Sequence, residues 1–151
     1  MFAVSDNEAS NHLFEFIGFD DLNNSMKNKG LSPFRITHRL STPNSGSRVI
    51  QPITLYKDDG TVMKFPSTQT KAFVPLKLKG IQKGKGYLDG EEIIQKPFDF
   101  SSKNYYPLET LHNTLKRIVF PEAFEEKEQF KLSEKSREFI LFSMQNLPRN
   151  A

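Results

Sequence analysis

Cysteine is absent from this chain of 151 residues, and so is tryptophan. Without cysteine there is no disulfide framework and no thiolate metal site, although that absence says nothing about compartment. No run of 18 apolar residues occurs, so no segment reads as a membrane-spanning helix. The opening Met1-Phe-Ala-Val-Ser5 has neither a basic stretch nor an apolar core of signal-peptide length, and no export signal is expected in it. A surplus of one charge is also lacking. The 21 basic and 18 acidic residues leave +3, too little to point to nucleic acid as a partner. Apolar residues, at 36%, are scarce for a complete globular domain, and with 14 Phe the filling of the core falls mainly on Phe.

Further absences narrow the chemistry. His12, His38 and His112 stand at unrelated places without metal-ligand spacing, so neither a metal nor a cofactor is expected. No Gly-x-Ser-x-Gly and no His-Glu-x-x-His occurs. The run Lys77 to Lys85, with Gly80, Gly84 and Gly86 nearby, lacks the spacing and terminal Lys-Ser/Thr pair of a phosphate-binding loop and reads as solvated turns.

What is present is helical at both ends. Ala9, Leu13, Phe16 and Ile17 recur at i, i+4, i+7 and i+8 and predict a core-facing helix over about 7–17, closed by Gly18. A second helix at about 20–28 is expected to bury Leu22 and Met26, and Gly30 stops it. Phe34 to Leu40 alternates as an extended segment, with Phe34, Ile36 and Leu40 expected inward. Asp59-Gly60 and Asp89-Gly90 between β-rich runs predict two hairpins. A helix over 107–119 has Leu108, Leu111, Leu115, Ile118 and Val119 on one stripe. The last, at 134–145, is capped by Ser133, turns Phe139, Ile140 and Met144 inward and stops before Pro148.

The tripeptide Ser5-Asp6-Asn7 at the first helix entrance carries the chemistry. A hydroxyl there can relay a proton to a leaving nitrogen. An amide two residues on can hold a substrate amide through one donor and one acceptor. The plainer alternative is a helix cap, for which Ser5 and Glu8 have capping-box spacing.

The longer pattern Ser5-Asp6-Asn7-x-Ala9-x-Asn11-x-Leu13 resembles the second motif of the serine β-lactamases and penicillin-binding proteins, most of all the class A β-lactamase-related serine hydrolases. In the same order, Phe19-Asp-Asp-Leu-Asn-x-x-Met-x-x-x-Gly-Leu31 is similar to that family's next helix, and Arg35-Ile-Thr-His-Arg-Leu40 to its following extended stretch. Phe100-Ser-Ser-Lys-Asn-Tyr-Tyr-Pro-Leu108 is similar to the entry of a later helix, and Leu132-Ser-Glu-Lys-Ser-Arg137 to the helix before the active-site strand. The resemblance implies acyl transfer through a serine acyl-enzyme on a small β-lactam or peptide-like amide. Ser5 is then the proton relay, Asn7 the substrate anchor and Asp6 a structural residue. The nucleophile of Ser-x-x-Lys and the Lys-Thr-Gly strand are not in this sequence, since no Ser has Lys three residues on. The chain is therefore expected to be the middle portion of a larger periplasmic or secreted enzyme, inactive alone. The loop glutamate of class A members falls in the 48–96 region, where Glu91 and Glu92 are candidates by location.

The expected architecture is α+β: mainly the helical lobe of a β-lactamase/transpeptidase-like fold, formed by 1–47 and 97–151 as one partial domain, with a hairpin-bearing insertion at 48–96. The competing reading is a non-catalytic binding or interaction domain in which Ser5 only caps a helix and the 48–96 hairpins form a contact surface.

Overall fold

Asp6 starts the first helix. In extended backbone, it accepts at its carboxylate from the Ala9 N–H at 3.1 Å and so satisfies one of the free amides of the first turn of α1, Asn7–Ile17. Gly18, at φ +92°, ends α1 by donating its N–H to the Phe14 carbonyl at 3.1 Å and begins α2, Phe19–Asn28, with no loop between them. A side chain there would meet the Asp21 carboxylate at 3.4 Å, in a backbone conformation that favours glycine. These observations come from a computed structural model that describes residues 5–72, 74, 75 and 77–146.

The tight turn lays Phe14 on Phe19, with ring centroids 4.0 Å apart and planes 8° from parallel. Ile50 completes this core, and Leu22, Ile36 and Ile53 pack around it. The stripe expected to anchor α1 is not the buried one: Phe14 is 7% exposed, whereas Leu13, Phe16 and Ile17 are nearly half exposed. The cause is that α1 is gripped on two other sides, by α2 through Phe14 and by residues 39–41 through its polar row. In α2, Met26 is buried as expected, Leu22 is half-buried and Phe19 is the deepest side chain.

The extended segment 34–40 turns over relative to its sequence pattern. Arg35, Thr37 and Arg39 are buried, Phe34 and Ile36 are half-buried and Leu40 is exposed. Burial of these polar groups is tolerated because each finds hydrogen-bond partners. The Arg35 guanidinium donates to the carbonyls of Val74, Ser101 and Lys103, while its backbone bridges Tyr105 in both directions, at 2.8 and 2.7 Å. Burial also lowers the Arg35 pKa from the usual guanidinium value. Arg39 donates to the carbonyls of Ser47 and Val49 at 2.8 and 2.9 Å. The Asn104 amide oxygen accepts from the Thr37 and His38 N–H groups at 2.8 and 3.1 Å.

Among the described residues the strands pair only two by two, all antiparallel. These are β1 (Val49–Ile50) with β4 (Thr68–Gln69), β2 (Ile53–Tyr56) with β3 (Val62–Phe65), β5 (Gln82–Lys83) with β8 (Phe98–Asp99), and β6 (Tyr87–Asp89) with β7 (Glu92–Ile94). Both Asp-Gly turns form, with Gly60 and Gly90 at φ +81° and +64°. Gly86 has a steric role: a side chain there would stand 2.9 Å from the Ile94 carbonyl. The stretch 48–96 meets the helices through Ile50, Ile53 and the Phe65 ring, whose centroid lies 5.7 Å from that of Phe16.

The chain returns to helix as α3, Leu108–Val119, and α4, Glu134–Gln145, the latter capped by the Ser133 hydroxyl on the Ser136 N–H at 3.2 Å. Pro148, expected to stop α4, lies outside the described residues. Here too the apolar stripes face inward only in part, with Leu115, Ile118 and Val119 of α3 half-buried. Leu108 and Leu111 are exposed, and Thr110 and Arg117 are the buried residues of α3; Phe139 and Met144 of α4 are exposed and Ile140 is half-buried. Polar contacts tether α3 instead, with Thr110 donating to the Pro33 carbonyl at 3.2 Å and Arg117 to the Lys29 carbonyl at 3.2 Å and the Glu128 carboxylate at 3.1 Å. The whole is mixed α+β: two helix pairs tied through 29–39, with small antiparallel strand pairs that reach the α1–α2 core through Ile50 and Ile53.

Candidate functional site

One face of α1 carries Asn7, Asn11 and Glu15, four residues apart and therefore one above the other. Residues 39–41 run along this row in the opposite sense. The Asn7 side-chain N–H donates to the Ser41 hydroxyl at 3.2 Å, and Glu15 pairs with Arg39. Between them Asn11 donates to the Leu40 carbonyl at 2.9 Å and accepts from the Leu40 N–H at 2.7 Å. The result is an open groove of about 550 Å³ whose walls include Asp6, Asn7, Asn11, Arg39, Ser41 and Thr42.

Ser5 stands beside this lining, exposed, at φ +52°. Ser41, on the facing wall, is at φ +50°, and among the described residues these two are the non-glycine positions with positive φ. Left-handed serine is uncommon, and such backbone concentrates where surrounding structure holds it for a purpose. Ser5 makes no hydrogen bond among the described residues. The cap of α1 is Asp6, so the reading in which Ser5 caps the helix is corrected, and the Ser5–Glu8 capping box does not form. Glu8 instead lies 3.7 Å from His12 on the exposed rim.

Glu91 and Glu92 belong to the turn and first residue of the β6–β7 hairpin and are not part of the groove lining. The segment facing Asn7 is Arg39 to Thr42, which contains no carboxylate. His38 is a scaffold residue: Nε2 accepts from the Asn104 N–H at 3.3 Å, and Nδ1 lies 2.8 Å from the Arg39 carbonyl, to which it donates as the neutral ring. His112 is exposed on α3. Among the described residues no group of three or more His, Cys, Asp or Glu side chains could hold a metal ion, and no helix is long and apolar enough to cross a membrane.

Sequence reasoning overlooked Glu15, Arg39 and Ser41. The signal for the first was available, since Asn7, Asn11 and Glu15 form a polar row at helical spacing, the mark of a face that meets a polar partner. Comparison with protein families finds that the model of the β-lactamase enzyme family matches residues 1–85, more than half of the chain and the whole of this groove. No curated protein matches the chain, and no solved structure does.

Proposed function

We propose a function from a fixed premise: the chain belongs to the β-lactamase enzyme family. In this reading it is part of a serine hydrolase that transfers an acyl group through a serine acyl-enzyme, with the nucleophile supplied from outside these 151 residues. The nucleophile oxygen attacks the carbonyl carbon of a β-lactam or peptide-like amide, the carbon–nitrogen bond breaks, and the nitrogen leaves protonated. Ser5 hands its proton to that nitrogen and is resupplied by the base that took the nucleophile's proton. Asn7 anchors the substrate amide, and Asp6 holds the turn that presents both.

The observation that carries this reading is the Asn7–Ser41 contact. It is an ordinary 3.2 Å hydrogen bond between exposed side chains, open to exchange, so a substrate carbonyl entering the groove can take the place of the Ser41 oxygen on the Asn7 N–H.

Of the carboxylates of the groove, Asp6 caps α1 and Glu15 pairs with Arg39, while Glu8 is exposed, 3.7 Å from His12. Export of the whole enzyme to the periplasm or the medium accompanies this substrate class and is checked by fractionating cells.

The test uses the complete parent protein with a fluorescent penicillin. A covalent label on the parent protein, with turnover cut about a hundredfold or more in Ser5→Ala, is the expected result. An unchanged rate in that variant would remove Ser5 from the mechanism, and stable labelling of the 151-residue chain alone would contradict a nucleophile outside it.

A further inference from the structure

A second groove, lined by residues from the middle of the chain, has a different chemistry. It measures about 340 Å³ and its lining includes Leu78, Lys79, Gly80, Lys83, Phe100 and Tyr105. Lys77, Lys79, Lys83 and Lys85 place four positive charges within nine residues that hold no acid, while the whole chain carries only +3, so the remainder is slightly acidic. All four are exposed. Gly80 and Gly84, at φ +70° and +77°, turn the backbone so that the Lys83 ammonium lies 3.4 Å from where a Gly80 side chain would begin. Across the β5–β8 pair, where Lys83 faces Phe98, the Lys103 ammonium adds a fifth charge, 5.4 Å above the Phe98 ring.

Lys79 and Lys83 line one groove, where like charges repel one another, and an anionic ligand relieves the repulsion. From this geometry we propose that the Lys79–Lys83 groove binds a linear, base-free polyanion bearing phosphate groups. Lysine ammoniums act as point charges suited to successive phosphates, whereas planar carboxylates are matched by arginine forks, of which the run has none. The neighbouring rings argue against nucleic acid. Tyr87, Phe98 and Phe100 meet edge to face at 4.9 and 4.8 Å, and Phe98 lies under Lys103, so these three rings are not laid parallel as a run of stacked bases requires. The proposal is independent of the acyl-transfer reading.

The test is binding of labelled inorganic polyphosphate to the 151-residue chain, followed by anisotropy over a range of salt. The Lys79→Glu/Lys83→Glu variant should lose about tenfold or more in affinity and lower the salt slope by about two, one for each lysine. Lys127→Glu/Lys135→Glu, with the same change in net charge elsewhere, should stay within about twofold. Circular dichroism checks that both variants fold, as substitutions of exposed side chains should. Equal losses in the two variants would reduce the effect to net charge and overturn the site, as would no binding by the unaltered chain at physiological ionic strength. Single-stranded DNA of equal charge binding as tightly as polyphosphate would overturn the ligand class.

Discussion

Asn11 and Leu40, 29 residues apart, are joined the way two strands are joined, by one donated and one accepted hydrogen bond of 2.9 and 2.7 Å, but with a side-chain amide in place of one backbone. This pair fixes the distance between the helix that bears Asn7 and the wall that bears Ser41, and so sets the width of the groove.

Asn11→Ala removes both bonds and is expected to cost about 1–2 kcal/mol. Asn11→Asp keeps the acceptor for Leu40 N–H but sets an anionic oxygen against the Leu40 carbonyl near neutral pH. Its deficit relative to the unaltered chain should shrink below about pH 4, where the carboxyl gains a proton to donate. Urea unfolding of the three chains at pH 7 and pH 3.5 checks the order. A pH-independent deficit for Asn11→Asp would show that the donated bond carries no weight.

Ser5 and Asp6 should behave oppositely on substitution, because Asp6 caps α1 and Ser5 occupies left-handed backbone. Asp6→Ala should cost about 1 kcal/mol. Ser5→Gly should be neutral or stabilising by up to about 1 kcal/mol, and Ser5→Val destabilising by about 1–2 kcal/mol, since a β-branched residue resists positive φ. Thermal unfolding decides it, and a larger loss at Ser5→Ala than at Asp6→Ala would reverse the cap assignment.

Arg39 serves two masters, the Glu15 carboxylate and the carbonyls of Ser47 and Val49, from a site where its side chain is 8% exposed. Arg39→Leu strands Glu15 and two carbonyls and should cost about 3–5 kcal/mol. Glu15→Gln, which keeps a neutral acceptor, should cost less. Limited proteolysis offers a local readout, with Arg39→Leu cut within 42–47 far faster than the unaltered chain. Equal stability of the two variants would show that the carbonyl contacts contribute nothing.

The Asp99 carboxylate is held below the ordinary carboxylate range by hydrogen bonds from Ser101, whose N–H it meets at 2.7 Å. A carboxylate lowered on folding contributes stability that is full above its unfolded value and is lost as pH falls through the folded one. The turn should therefore hold at pH 7 and loosen below about pH 4, releasing the Ser101 carbonyl from Arg35. Carbon-13 titration of Asp99, with amide exchange at Ser101 and Lys103, follows this. A midpoint at the unfolded-peptide value would refute the Ser101 contact.

How much was legible differs by element. The helix extents were, because caps, Gly18 and Gly30 act locally, and the hairpins were, because Asp-Gly admits the positive φ that a tight turn requires. Ser5 and Asn7 could be named from the tripeptide alone. Ser41 could not, since nothing near it in the chain marks it as the partner of a residue 34 positions earlier.

The sequence by itself determined where helices start and stop, where the chain reverses, the row of Asn7, Asn11 and Glu15, and the family pattern at the first helix. Which side of each element faces inward was decided only by the tertiary structure. Periodicity sets the spacing of apolar residues but not their phase. Arg35, Thr37 and Arg39 went inside while Leu13, Leu40 and Leu108 stayed largely outside, because other segments brought backbone carbonyls to the three polar side chains and the Asn104 amide to the Thr37 N–H. A buried guanidinium is costly alone and tolerable when its donors are matched, and the matching groups come from up to 68 residues away.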